Sequence, residues 1–151
     1  LIQQIKTIQT LPKATIEQLH ALQQLSYTSE QQLLTIDPFP PLLETINALA
    51  TSADALIIRL ESGQIVGFLQ YDSTREDVVI NKLVVHPDYF RQGIGSDLLE
   101  TLIEDKRNTS IQVETAAKNT PAIKLYQKYG FHKAAQFYAA EGLQLLRLVR
   151  P

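Results

Sequence analysis

The residues from Val78 to Ser96 constrain this chain more than any other stretch. Val78 to Val85 is a nearly continuous apolar run, broken only by Asn81 and Lys82, as expected of a central strand covered on both faces. His86-Pro87 marks a turn, where a turn role for the histidine outweighs a catalytic one. Phe90-Arg91-Gln92-Gly93-Ile94-Gly95-Ser96 then brings two glycines to the start of a helix. That helix, Ser96 to Lys106, sets Leu98, Leu99, Leu102 and Ile103 on one face and Asp97, Glu100 and Glu104 on the other. The first amides of a helix lack an intrahelical acceptor, so a strand, a glycine turn and a helix start make a cradle for an anion. Arg91 and Gln92 stand beside the glycines, so a cation and bare amides face the same anion. In isolation the glycine pair is equally explained as tight-turn chemistry. It is neither a dinucleotide fingerprint nor a Walker loop, because no third glycine with a ribose-binding acid and no Gly-Lys-Ser/Thr follows.

The pattern around this unit is that of a mixed α/β sheet. Gln3 to Ile8 reads as a first strand. Pro12 and Thr15 open a helix that repeats Ile16, Leu19, Leu22 and Leu25 at three-residue steps, and Tyr27 to Leu34 reads as a second short helix. Asp37-Pro38-Phe39-Pro40-Pro41 breaks the pattern, and Leu42 to Ala50 reads as a further helix. Ala55 to Leu60 and Ile65 to Tyr71 are strands joined by a hairpin turn at Glu61-Ser62-Gly63-Gln64. Beyond the glycine helix come a strand at Ser110 to Thr115, a helix at Thr120 to Tyr129, and strands at Lys133 to Tyr138 and Gly142 to Val149. The Thr120 helix is punctuated by a cap at Thr120, Pro121 in its first turn and Gly130 just past its end.

Composition narrows the function classes. At 151 residues the chain is expected to form one domain spanning 1–151. A net charge of −2 gives no bulk reason to expect nucleic acid or an acidic membrane surface. No apolar run reaches the roughly 20 residues of a membrane span, and no signal segment opens the chain, so a cytoplasmic location is expected. The chain opens at Leu1 without a methionine, which leaves room for residues ahead of it. The absence of cysteine excludes a thiol nucleophile, and three scattered histidines (His20, His86, His132) give no reason to expect a metal site.

A second motif follows the first: Asn119-Thr120-Pro121-Ala122-Ile123-Lys124-Leu125-Tyr126, ending at Tyr129-Gly130-Phe131. Together with Leu83-Val84-Val85-His86-Pro87 and Arg91 to Ser96, it resembles the acetyl-CoA-binding core of the GNAT superfamily of N-acetyltransferases. The likeness is dense from about Leu83 to Phe131, softer from Ala55 to Tyr71 and over the last two strands, and carries no motif in the first 50 residues.

This resemblance implies a single-domain GNAT-like acyl-CoA N-acyltransferase fold, with a mostly antiparallel central sheet flanked by helices. It implies that the backbone of Leu83, Val84 and Val85 pairs with the pantetheine arm of acetyl-CoA. It also implies that Arg91, Gln92, Gly93, Ile94, Gly95 and Ser96 wrap the pyrophosphate, and that Asn119 contacts the arm further along. The first position of the family's loop pattern is usually Arg or Gln; here it is Phe90, so Arg91 is expected to take over that contact.

Tyr126 shares a helical face with Ala122 and Tyr129 and can be read as a core aromatic. The resemblance makes it the general acid for the departing CoA thiolate, a role that a phenol protonated at neutral pH suits. Glu114 points away from Ile111 and Val113 and can be read as a solvated strand position. It also precedes Tyr126 by 12 residues and Asn119 by five, the spacing of the base glutamate in the ribosomal-protein N-terminal-alanine acetyltransferases of this superfamily. Lys118, Lys124 and Lys128 read as solvated surface, with a 3′-phosphate contact as the lesser reading. Tyr138 and Glu141 are candidates for the acceptor pocket.

The expected activity is therefore acetyl transfer from acetyl-CoA to a primary amine by direct attack, the acceptor being a small amine or a protein N-terminus. A homodimer is left open. The alternatives are a CoA-binding or sensor domain without turnover, and a nucleotide- or phosphate-binding module of another fold.

Overall fold

The structure is a computed structural model that describes residues 1–139 and 142–151. Among the described residues seven strands form one sheet: β1 (Ile2–Ile5), β2 (Ala55–Glu61), β3 (Gln64–Asp72), β4 (Val78–Val85), β5 (Ile111–Ala116), β6 (His132–Tyr138) and β7 (Gln144–Arg150). Their order is β1-β2-β3-β4-β5-β7-β6, and every neighbouring pair is antiparallel except β4 with β5. The apolar Val78 to Val85 run is thus the fourth strand of seven, as its composition leads one to expect.

The β2–β3 hairpin closes through Ser62 and Gly63, both at positive φ (48° and 80°), the requirement of a two-residue turn that follows the twist of the strands. Among the described residues four α-helices cover the sheet: α1 (Lys13–Leu34), α2 (Ile46–Ala50), α3 (Ile94–Asp105) and α4 (Thr120–Lys128). On one face α1 and α2 bury Ile16, Leu19, Leu22 and Leu49 against Leu56, Ile58, Phe68 and Val84. On the other, Leu98, Leu99, Leu102 of α3 and Tyr126 of α4 pack with Phe131 on Ile57, Leu69, Ile80 and Val113.

Three local expectations are corrected. Lys13–Leu34 form one helix rather than two, since no breaker stands between Leu25 and Tyr27. Leu25 is half exposed: three-residue steps drift around a 3.6-residue helix, and its fourth member leaves the buried face. Leu42 to Ala50 is interrupted, because the Thr45 hydroxyl accepts the Ala48 N–H at 3.0 Å and restarts the chain as α2. The cap of α4 is Asn119, whose side chain accepts the Ala122 N–H, and Thr120 is already the first helical residue. Gly130 does stand just past the end of α4, at φ 90°.

Candidate active site

Two irregularities of β4 make the site. Gln70 of β3 pairs with Lys82 and Tyr71 with Ile80, so Asn81 is an extra residue that bulges out of the ladder. The bulge reverses the facing of the strand: Ile80 lies in the α3 core, whereas Lys82 and Val84 face α1. The polar interruption at Asn81 and Lys82 marks this reversal. Beyond it, β4 and β5 part. Their parallel pairing runs only from Val78 with Ile111 to Ile80 with Val113. His86 donates to the Val66 carbonyl on β3 at 2.8 Å. Strand alternation therefore points the N–H groups of Leu83 and Val85 the other way, into the gap.

The gap holds a cavity of about 210 Å³ that reaches residues on both faces of the sheet. Tyr126 and Leu125 approach from α4, Glu30 and Tyr27 from α1, and Glu114 from β5. Tyr126 is buried, and among the described residues its hydroxyl makes no hydrogen bond. Burial first, and then the charge of Glu30, push that hydroxyl above the usual tyrosine range. Glu114 is 44% exposed and lies 3.7 Å from Arg147, its partner across β5 and β7. Asn119 caps α4 with its oxygen and donates through Nδ2 to Glu30 at 3.0 Å.

The glycine loop lies beside the gap. Phe90 to Gly93 leads into α3, with Arg91 at φ 64° and Gly93 at φ 79°, and no side chain caps the helix. Among the described residues, the amides of Arg91, Gln92, Gly93, Ile94, Gly95 and Ser96 donate to no backbone or side-chain acceptor; the first amide to find one is that of Asp97, bonded to the Gly93 carbonyl at 2.9 Å. Six consecutive free donors at a positive helix end suit a pyrophosphate. The Gln92 amide donates to the Asp88 carbonyl at 3.4 Å, while Arg91 is exposed and in no ion pair among the described residues. Phe90 projects into solvent, so the departure from the family pattern removes a side chain and leaves the backbone cradle whole.

Gly95 passes so close to α4 that an added Cβ would lie 3.3 Å from Leu125 Cδ2. Gly67, on β3, is tighter still: a Cβ there would meet Ile94 Cγ2 at 2.8 Å and the Val84 carbonyl oxygen at 3.0 Å. An isolated glycine inside a strand is a sign of close backbone approach, and this one seats the first residue of α3. His86 has the turn role expected of it, its Nδ1 accepting the Asp88 N–H at 3.1 Å. Lys118, Lys124 and Lys128 are exposed and in no ion pair among the described residues. Tyr138 is exposed on β6, and Glu141 lies outside the described residues.

The α1 side of the cavity had no motif to announce it. Tyr27 packs edge-on against Phe39, with ring centres 6.2 Å apart. Lys82, only 9% exposed at its side chain, pairs with Glu44, and Gln23 Nε2 donates to the same carboxylate at 2.7 Å. Burial pushes the Glu44 carboxyl up, but the bonds from Gln23 and Lys82 and the Lys82 charge outweigh it, holding the group below its usual range.

This arrangement has counterparts. UPF0157 protein YqkA of Bacillus subtilis is 36% identical over 135 residues, which are 88% of this chain and 39% of that protein. The [ribosomal protein bS18]-alanine N-acetyltransferase of Escherichia coli is 35% identical over 77 residues, 49% of this chain and 52% of that protein. The chain thus spans about half or less of the length of these relatives. Its fold matches the crystal structure of PaiA N-acetyltransferase from Thermoplasma acidophilum in complex with coenzyme A, at a TM-score of 0.74 and 15% identity, covering 97% of this chain and 98% of that one. The acetyltransferase (GNAT) family pattern matches residues 16–131, from α1 through the glycine loop to the end of α4, and the chain belongs to that family.

Proposed function

We propose that this chain is an acetyl-CoA-dependent N-acetyltransferase that moves an acetyl group to a primary amine by direct attack. The observation that carries this reading is the parting of β4 and β5 beside six free amides. The free amides beside the opening suit a pyrophosphate, and the buried phenol of Tyr126 lines its cavity.

In this reading Arg91 to Ser96 hold the pyrophosphate, and the backbone of Leu83 to Val85 pairs with the pantetheine arm. A backbone N–H of that strand also stabilises the oxyanion as the amine attacks the carbonyl carbon. Tyr126, held protonated by its burial, gives the sulfur first a hydrogen bond and then a proton as the C–S bond breaks. Glu114, on the cavity wall, accepts a proton from the amine directly or through water. The absence of cysteine leaves no Cys-linked acyl-enzyme to form.

The acceptor we favour is a protein or peptide α-amine, a reading supported by the relative that acts on the alanine of a ribosomal protein. The test is thiol release from acetyl-CoA by the full chain, with an alanine-initiated peptide, the same peptide N-acetylated, and a panel of small amines. Release with the free peptide alone supports the reading. Tight CoA binding without release for any amine would identify a CoA-binding domain instead. Calorimetry showing ATP or NAD preferred to CoA would remove the acetyl-CoA assignment.

A further inference from the structure

The cavity contains a carboxylate that neither motif accounts for. Glu30 lies on α1, far in sequence from the glycine loop, and reaches the gap from the face opposite α4. Its Oε1 accepts the Asn119 Nδ2 bond at 3.0 Å. That amide has one consistent orientation, because its oxygen must face the Ala122 N–H as the cap of α4, at 3.3 Å. The NH2 end is thereby committed to Glu30.

Nothing else among the described residues neutralises the carboxylate. Among the described residues Glu30 has no cationic partner, whereas Glu44 has Lys82 and Glu114 has Arg147. The cavity it lines is shared with Tyr27 of its own helix, Phe39, Tyr126 of α4, Glu114 of β5 and Lys82 of β4, the last already committed to Glu44. Burial pushes the Glu30 carboxyl up, and the Asn119 bond only partly opposes this. An anion in such a place is costly until a cation joins it. An amine substrate arrives as that cation, since an α-ammonium has a pKa of about 7.7–8.0 and a lysine about 10.4.

Resting on the acetyltransferase reading, we propose that Glu30 is a catalytic carboxylate that binds the acceptor's ammonium group and takes its first proton, leaving Glu114 to take the second. The ammonium nitrogen loses one proton to Glu30 and becomes a neutral nucleophile. Its lone pair forms the C–N bond to the thioester carbon. The C–S bond then breaks, the sulfur takes the Tyr126 proton, and the second nitrogen proton leaves toward Glu114 as the amide forms. Solvent takes the protons from Glu30 and Glu114 and restores the one on Tyr126, a net release of one proton. A carboxyl raised by burial is a better base for this step than one paired with arginine, because its pKa lies nearer that of the amine.

The experiment measures kcat against pH for the full chain, with acetyl-CoA and an alanine-initiated peptide, alongside the acetyl-CoA affinity. Glu30→Gln should lower kcat at neutral pH by at least about tenfold and erase the acidic limb, with affinity for acetyl-CoA unchanged. Glu30→Asp should restore part of the rate, and Glu114→Gln should keep the limb. A Glu30→Gln enzyme within twofold of wild type, or one that keeps the limb at the same apparent pKa, overturns the proposal.

If that variant binds no acetyl-CoA because it does not fold, carbon-13 NMR of glutamate carboxyls in the wild-type chain decides. One carboxyl should titrate above the usual range and move down when the free peptide binds, and not with the N-acetylated peptide; its absence overturns the proposal. Should wild type acetylate no amine at all, the acetyltransferase reading itself fails and takes this role for Glu30 with it.

Discussion

The glycine loop touches Leu125, a residue of the cavity's lining, through Gly95, and the loop and the α1 side of that cavity are built from opposite materials. The loop offers the backbone: six free amides, set by two positive φ angles, with Phe90 and Arg91 pointing to solvent. The α1 side of the cavity offers side chains, Glu30 and Tyr27 on α1 and Lys82 of β4, which is paired with Glu44. A backbone site tolerates side-chain change and fails when the chain path fails. A side-chain site fails at single atoms. In the proposed function, that difference suits a part that holds one donor and a part that discriminates among acceptors.

The sharpest way to break the comparison is at Glu44. Glu44→Ala leaves Lys82 buried and unpaired, and should cost about 3 kcal/mol in chemical denaturation. A loss below 1 kcal/mol would mean that water replaces the partner. The pH dependence has a definite sign. With its pKa held below 4.5, Glu44 contributes stability that is complete above that value and is lost as pH falls through the lowered one.

Next in size is Tyr126→Phe, which should lower kcat by about a hundredfold with acetyl-CoA affinity retained. Unchanged turnover would return Tyr126 to the core. Gly67→Ala addresses the loop from beneath. Its Cβ would press on Ile94 and the Val84 carbonyl, so about 1–3 kcal/mol of stability should be lost, with weaker acetyl-CoA binding. Normal affinity at reduced stability would show that the cradle is independent of its seat. The smallest effect is at Glu30. Its pKa is raised above 4.5, so its contribution is complete below that value and is lost as pH rises through the folded one. Glu30→Gln should therefore raise stability at pH 7 by about 1 kcal/mol while activity falls, since such sites trade stability for function. A lower melting temperature would contradict the account of an uncompensated anion.

The same division explains what could be read from the sequence. Glycine, proline and strand-to-helix periodicity announce a backbone path, so β4, the loop, α3 and the end of α4 were legible, as was the position of Tyr126 on the buried face of α4. Glu30 and Lys82 were not. A glutamate on a helix and a lysine in a strand look like solvated surface until the chain is folded. Gly67 carried a readable signal, a lone glycine within an apolar strand, whose meaning depended on which helix lies above it. The interrupted Leu42 to Ala50 segment turned on one hydroxyl at Thr45, a cap as easily read as a helix interior.

A sheet normally keeps its least protected strands at its borders and its slowest-exchanging amides in the middle. Here the fourth strand of seven has one side without a strand partner beyond Ile80, so Leu83 and Val85 should exchange amide hydrogens like border residues while Val84 exchanges like the core. Whatever pairs with those two amides completes the sheet from within. Because such a ligand binds only the folded chain, the melting temperature should climb with its concentration by mass action. The lifetime of the protein is then tied to the supply of the molecule it uses.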